Sequence, residues 1–156
     1  MISGIVAGNE RARERVEGVR EALTACGLGL GPGRLVEKPY TLGGGREGMR
    51  ELLQATPRPT AVICGNDVLA IGALAECHGL GLTVPGEVSL TGFDDMEIAA
   101  AVAPGLTTVH FPTEELGGYA AQHLIARLAG EPFEMRVELP VELIVRGSTA
   151  APTQER

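Results

Sequence analysis

The sequence has no tryptophan and only five aromatic residues, two Tyr and three Phe, among 156. That is too few for a platform that stacks bases or for an aromatic belt at a membrane interface. Cations are also scarce: 13 Lys and Arg face 20 Asp and Glu, a formal net charge of −7. Nothing in that balance favours a phosphate backbone, which argues against a nucleic-acid surface within this chain. No apolar run approaches the roughly 18 residues that a membrane span needs, and Met1 to Val6 carries no basic residue. The chain is expected to be neither exported nor anchored. Cys26, Cys64 and Cys77 form no CxxC pair, and each lies in an apolar stretch where a free thiol behaves as a small hydrophobe. A reducing, cytoplasmic compartment is expected. What is present, 44% hydrophobic and 21% charged residues, is the profile of one folded domain.

From Asn9 to Cys26 the apolar residues Ala12, Val16, Val19, Leu23 and Cys26 recur at steps of four and three, one face of a helix that Asn9 can cap and Gly27 can end. Arg34 to Glu37 reads as a short strand. A second helix is expected to open after Gly43-Gly44-Gly45, carry Met49, Leu52 and Leu53 on one side, and stop before Pro57. The β-branched run Thr60 to Cys64 suits a strand buried on both faces. Val68 to Cys77 is a helix apolar nearly all round apart from Glu76, so it needs cover on more than one side. Glu87 to Phe93 and Leu106 to Phe111 are further strands; Thr113 can cap a helix that Gly130 and Pro132 close, and Val137 to Val145 is extended. Strand and helix alternate with short connections, which predicts an α/β fold with a parallel sheet flanked by helices.

In an open parallel sheet, ligands bind beyond the carboxyl ends of the strands. Those ends deliver Tyr40, then Asn66-Asp67, then Asp94-Asp95, short polar side chains able to orient the hydroxyls of a bound polyol. Each is also an ordinary helix cap in type, and only their collection on one edge points to a cleft. Arg15 lies closer to the apolar stripe of its helix than Arg11, Arg13 or Arg20, so its guanidinium can bend over the sheet edge towards ligand oxygens. The alternative is an exposed arginine paired with a helix acid such as Glu14. Adjacent carboxylates after a strand, here Asp94 and Asp95, can also hold Mg²⁺ for phosphoryl transfer. The sequence has no P-loop, GxGxxG, GxSxG or HExxH to support an enzyme, and His78, His110 and His123 are dispersed. No cofactor, metal site or catalysis is expected.

The stretch Arg58 to Leu74 (RPTAVICGNDVLAIGAL), followed by Val84 to Asp95 (VPGEVSLTGFDD) and Pro104 to Val109 (PGLTTV), resembles the effector-binding core of LacI/GalR-type transcriptional regulators. Residues 9–24 look like that family's helix bearing its ligand arginine, and Glu142 to Ala150 resembles its closing strand. The resemblance implies the C-terminal lobe of a periplasmic-binding-protein-like type I domain, which clasps a sugar, polyol or nucleoside-type metabolite between two lobes. By position it makes Arg15 the clamping arginine, Tyr40 an aromatic packing residue, Asn66 a hydrogen-bond partner and Asp94 an acceptor from ligand hydroxyls. Asp67 and Asp95 look like caps or supports.

The same resemblance divides the chain into a lobe at 1–105, a crossover at 106–130 belonging to a lobe that is not here, and a closing strand and tail at 131–156. The apolar side of Leu116, Ala120, Leu124 and Leu128 would then lack cover, which favours a homo-oligomer or swapped dimer. The family also dimerises through surfaces that on this sequence would offer Ile71, Leu74, Ala75, His78, Ile98, Ala101 and Val102. Operator DNA would be reached only through a helix-turn-helix absent from this chain. A solute-binding protein serving a sugar transporter is the alternative with the same architecture.

Overall fold

The computed structural model describes residues 1–134 and 136–152. Their elements, in chain order, are β1 (Ile2–Ser3), α1 (Glu10–Ala25), β2 (Val36–Glu37), α2 (Leu42–Leu52), β3 (Ala61–Ile63), α3 (Asp67–Gly79), β4 (Ser89–Thr91), α4 (Glu97–Ala101), β5 (Thr108–His110), α5 (Thr113–Ala129) and β6 (Glu142–Ile144). β1 pairs with β2 and β3 with β4, both in parallel, and β6 lies antiparallel on β5. Single parallel bridges, Ile2 to Cys64 and Thr91 to Thr107, join these three pairs. Across the bridges the order is β2-β1-β3-β4-β5-β6, the expected α/β arrangement with one antiparallel strand at its edge.

The chain moves one way from β1 to β2 and the other way from β2 to β3. Right-handed crossovers then put α1 on one face of the sheet and α2 and α3 on the other. On the α2/α3 face the core is dense: Ile2, Met49, Leu69, Leu90 and Leu106 are fully buried. The three consecutive glycines do not precede α2, as the sequence suggested, but lie inside it. Thr41 caps the helix by accepting from the Gly44 amide at 2.9 Å. A Cβ on Gly45 would strike the Leu69 carbonyl and the Gly72 Cα, and one on Gly72 would strike the Leu42 carbonyl. Here glycine serves close helix crossing rather than helix breaking. The second acid of α3, Glu76, is buried beneath that crossing and accepts from Arg46 Nε at 3.0 Å and Arg50 Nε at 2.9 Å. Arg46, then Arg50, hold its carboxyl below the usual range against the opposing effect of burial.

The opposite face is less covered. In β3, Val62 is 1% exposed but Ile63 is 37% exposed, so this strand is buried on one face only. The cause is that α1 buries just Ala12 and Val16 and leaves the sheet in front of β3, β4 and β5 open. Cys26, expected inside, is exposed at the end of α1, whereas Cys64 and Cys77 are buried. Burial pushes the Cys64 thiol up to about 12 and that of Cys77 to about 11, which keeps both inert.

The expected crossover begins inside the core: Leu106, Thr107 and Thr108 are buried, and the chain leaves the sheet only beyond β5. Thr113 does not cap α5; its hydroxyl donates back to the Phe111 carbonyl at 3.2 Å. None of the 17 residues of α5 is buried, and Leu116, Leu124, Ile125 and Leu128 are exposed. Among the expected interface residues, Leu74 is a core side chain at 3% exposure and is unavailable to a partner. Ile71 and Val102 pack partly against the core, while Ala75, His78, Ile98 and Ala101 are exposed. Within the expected closing segment 131–156, residue 135 and residues 153–156 lie outside the described residues.

Candidate functional site

The strand order reverses at β1, with β2 on one side and β3 on the other, so the loops after β1 and β3 diverge and leave a crevice at the carboxyl edge. Four segments reach it: α1 with Arg15, the β2–α2 connection with Tyr40, the start of α3 with Asn66, and the turn after β4 with Asp94. Arg15, Tyr40, Asn66 and Asp94 line one part of it, about 220 Å³, together with Asn9 and Arg11. A larger part, about 720 Å³, is lined by Arg11, Glu14, Arg15, Phe93, Asp94, Phe111, Thr113 and Leu116. The two parts share Arg11, Arg15 and Asp94, and the larger is of a size that holds a small metabolite.

Arg15 faces the crevice and not Glu14. Its Nη1 donates to the Gly65 carbonyl at 2.7 Å, its Nη2 lies 3.4 Å from Asp94 Oδ1, and its guanidinium carbon stands 3.9 Å from the centre of the Phe93 ring. A cation stacked on an aromatic face and hydrogen-bonded to a carbonyl is fixed in orientation, with donors still free for a ligand. Burial raises the Asp94 carboxyl above the usual carboxylate range, partly offset by Arg15. Asn66 is a helix cap, since its Oδ1 accepts from the Leu69 amide at 3.0 Å, so the amide nitrogen is the group it turns to the crevice. The Tyr40 ring lies against Gly4, where any Cβ would collide with it.

Asp67 and Asp95 build the turn between them. Asp67 is fully buried; Oδ1 accepts from the Thr108 hydroxyl at 2.6 Å and Oδ2 from the Met96 amide at 2.8 Å. It caps no helix and ties α3 to β5 and to the turn. Gly92 is required beside it, because a Cβ there would overlap Asp67 Oδ1. Asp95 accepts from Arg146 Nη2 at 2.7 Å and pairs with His110 Nδ1 at 3.2 Å. The two adjacent acids thus serve separate cations, and no group of three acidic, His or Cys side chains able to hold a metal is assembled among the described residues. Asp94 and Asp95 both have positive φ, 103° and 50°, a conformation that costs non-glycine residues of order 1–3 kcal/mol each.

The hydrogen bond from Arg146 holds the Asp95 carboxyl below the usual range. An acid whose pKa is depressed by folding stabilises the fold above its ordinary titration range and loses that contribution as pH falls through the folded value. Asp95→Asn should therefore lower the thermal midpoint at pH 7, with the gap from the parent narrowing below about pH 4. Thermal unfolding followed by circular dichroism across pH checks this; a gap that stays constant would assign the loss to packing.

The sequence did not single out Arg11, Phe93, Phe111, His110 or Arg146. Phe93 and Phe111 could have been found as two of only three phenylalanines, one two residues past β4 and the other next after β5. Arg146 gave no local signal, because its partner is 51 residues away.

A family model described as a periplasmic binding protein-like domain matches residues 2–149. The ribose operon repressor of Escherichia coli K12 is 38% identical over 138 residues, which are 88% of this chain and 42% of that protein. The HTH-type transcriptional repressor CytR of the same strain is 36% identical over 152 residues, 95% of this chain and 45% of that protein. The chain therefore spans less than half the length of these curated relatives. Among solved structures, a LacI family transcriptional regulator from Mycobacterium smegmatis aligns with a TM-score of 0.89 at 33% identity, over 97% of this chain and 57% of that one. The transcriptional regulator CelR in complex with cellobiose aligns with a TM-score of 0.85 at 36% identity, over 94% of this chain and 45% of that one. Sheet order, crevice and alignment agree: this chain belongs to the periplasmic binding protein-like domain family, in the form that LacI-family regulators use as their effector-binding domain.

Proposed function

We propose that this chain is the effector-sensing part of a LacI-type transcriptional regulator and binds a small polyhydroxylated metabolite, of sugar, polyol or nucleoside type, in the crevice around Arg15 and Asp94. The observation that carries the proposal is the pairing of a stacked, carbonyl-anchored Arg15 with Asp94 at the strand edge: one supplies donors and the other an acceptor, the complement of a ring bearing several hydroxyls. Asn66 adds a donor and Tyr40 an aromatic wall. In a longer protein, occupancy would favour one lobe arrangement and so change operator affinity, with DNA held by a part outside this chain. The assigned role is binding, without catalysis or cofactor, in the cytoplasm. Among the described residues no helix is long and apolar enough to cross a membrane.

A thermal-shift panel tests the reading, because a ligand that prefers the folded state raises the midpoint by mass action. D-Ribose and cellobiose head the panel, since relatives named for them align over most of this chain. Binding at 100 times its dissociation constant adds about 2.7 kcal/mol, which shifts a domain of this size by several degrees. No shift with any sugar, polyol or nucleoside would reject the proposal.

Self-association is the second part of the proposed role. The uncovered side of α5 and the exposed Ile98 are the surfaces available to a second copy. Light scattering at micromolar concentration should show a dimer or larger species, and Leu124→Glu or Ile98→Glu should shift it towards monomer with the thermal midpoint of the monomer nearly unchanged. A stable monomer for the parent chain would remove this part of the role.

A further inference from the structure

The turn carrying Asp94 is strained at two consecutive residues, and the structure shows what holds it. Asp95 is gripped from two directions, by Arg146 beyond β6 and by His110 at the end of β5. Arg146 is itself fixed: its Nη1 donates to the Leu106 carbonyl at 2.9 Å and its backbone amide to the Thr107 hydroxyl at 2.9 Å. From below, the Thr108 hydroxyl accepts from the Asp95 amide at 3.4 Å, and Asp67 accepts from the Met96 amide. The Asp94 amide donates to the Val109 carbonyl at 3.0 Å. Every backbone amide from Asp94 to Met96 is thus spoken for by β5 or Asp67, while among the described residues the side-chain grip on Asp95 comes from Arg146 and His110.

We propose that Arg146 and His110, by gripping Asp95, are positioning residues for the effector: they hold the Asp94 carboxylate beside Arg15 although Arg146 lines none of the cavities around Asp94. Without the grip the Asp95 side chain is released and the strained turn is held by its backbone amides alone, which lets the Asp94 side chain swing away from Arg15. His110 ends β5 and Arg146 lies two residues beyond β6, the two strands that flank α5 in sequence, so the same grip links the crevice to the start of that helix. Groups facing the Asp95 carboxylate are Arg146 and His110, and the acid that feels its charge is Asp67.

This inference rests on the proposed effector role, and its test separates the two. The full chain is compared with Arg146→Gln, Arg146→Lys and His110→Gln. Titration of the Asp94 carboxyl is followed by ¹³C NMR without ligand, and binding of D-ribose by calorimetry. Arg146→Gln should shift the Asp94 titration from that of the parent and weaken D-ribose about tenfold, with partial recovery in Arg146→Lys and an effect of about twofold in His110→Gln. Unchanged Asp94 titration in Arg146→Gln overturns the inference. If the parent binds no D-ribose, the Asp94 titration decides the positioning role by itself. Should Arg146→Gln fail to fold, the titration in Arg146→Lys and His110→Gln decides: a moved Asp94 supports the grip and an unmoved one overturns it.

Discussion

Arg15→Ala should abolish measurable effector binding, a loss of about 100-fold or more, and Asp94→Ala should do nearly the same. Removing Arg15 takes away two functions at once: the donors aimed into the crevice and the counter-charge that offsets the burial of Asp94. Truncating one member of a hydrogen-bonded charge pair leaves the other unpaired in a partly desolvated site, and such losses run to about 2–5 kcal/mol at binding surfaces. Arg15→Lys separates charge from geometry. Lysine keeps the cation but cannot both donate to the Gly65 carbonyl and stack flat on Phe93 while reaching Asp94, so it should recover only a small part of the affinity. Calorimetry with the best hit of the sugar panel measures all three. Full affinity in Arg15→Ala would place the ligand elsewhere.

The largest stability effect is expected at the α2/α3 crossing. Gly45→Val should destabilise by about 3 kcal/mol, because its Cβ meets the backbone of Leu69 and Gly72 rather than a side chain that can swing aside. Gly43→Ala, two residues earlier, is the internal control. A Cβ at that position finds only the Thr41 hydroxyl at 3.8 Å, so the gain in helix propensity should show as an increase of up to about 1 kcal/mol. Urea denaturation distinguishes the cases. Equal effects of opposite chemistry at 43 and 45 would mean that the helices do not approach as closely as the geometry requires.

That contrast also shows where sequence reading stops. Three identical residues in a row look like a helix breaker, and propensity alone places α2 after them. The outcome is set by Leu69 and Gly72, which arrive from α3 and make the small side chain an asset at Gly45. β3 shows a related limit: its β-branched composition suits burial on both faces, yet the cover over Ile63 depends on how far α1 extends across the sheet. Cys26 was misplaced for the same reason, because the apolar stripe of α1 runs past the edge of what it covers.

The local signals were sufficient elsewhere. Periodicity and caps located α1 and α3, with Asn9 and Asn66 accepting from the amides three residues on. The alternation of strand and helix gave the α/β class, and the polar residues at three strand ends marked the crevice before any geometry was available. The ordered motifs from Arg58 to Val109 carried the family resemblance that the alignment over residues 2–149 then established.

The amino-acid sequence by itself therefore determined the element types, the edge of the sheet where the crevice lies, and the four residues that gather there, because caps, periods and strand ends are written within a few neighbouring positions. Tertiary structure alone decided the separation of Asp94 and Asp95 into different charge pairs, the use of Gly45 and Gly72 as a close contact, and the exposure of α5. The charge pairs and the glycine contact join residues tens of positions apart, and exposure is set by what packs alongside; both depend on distance and burial, quantities that exist only once the chain has closed on itself.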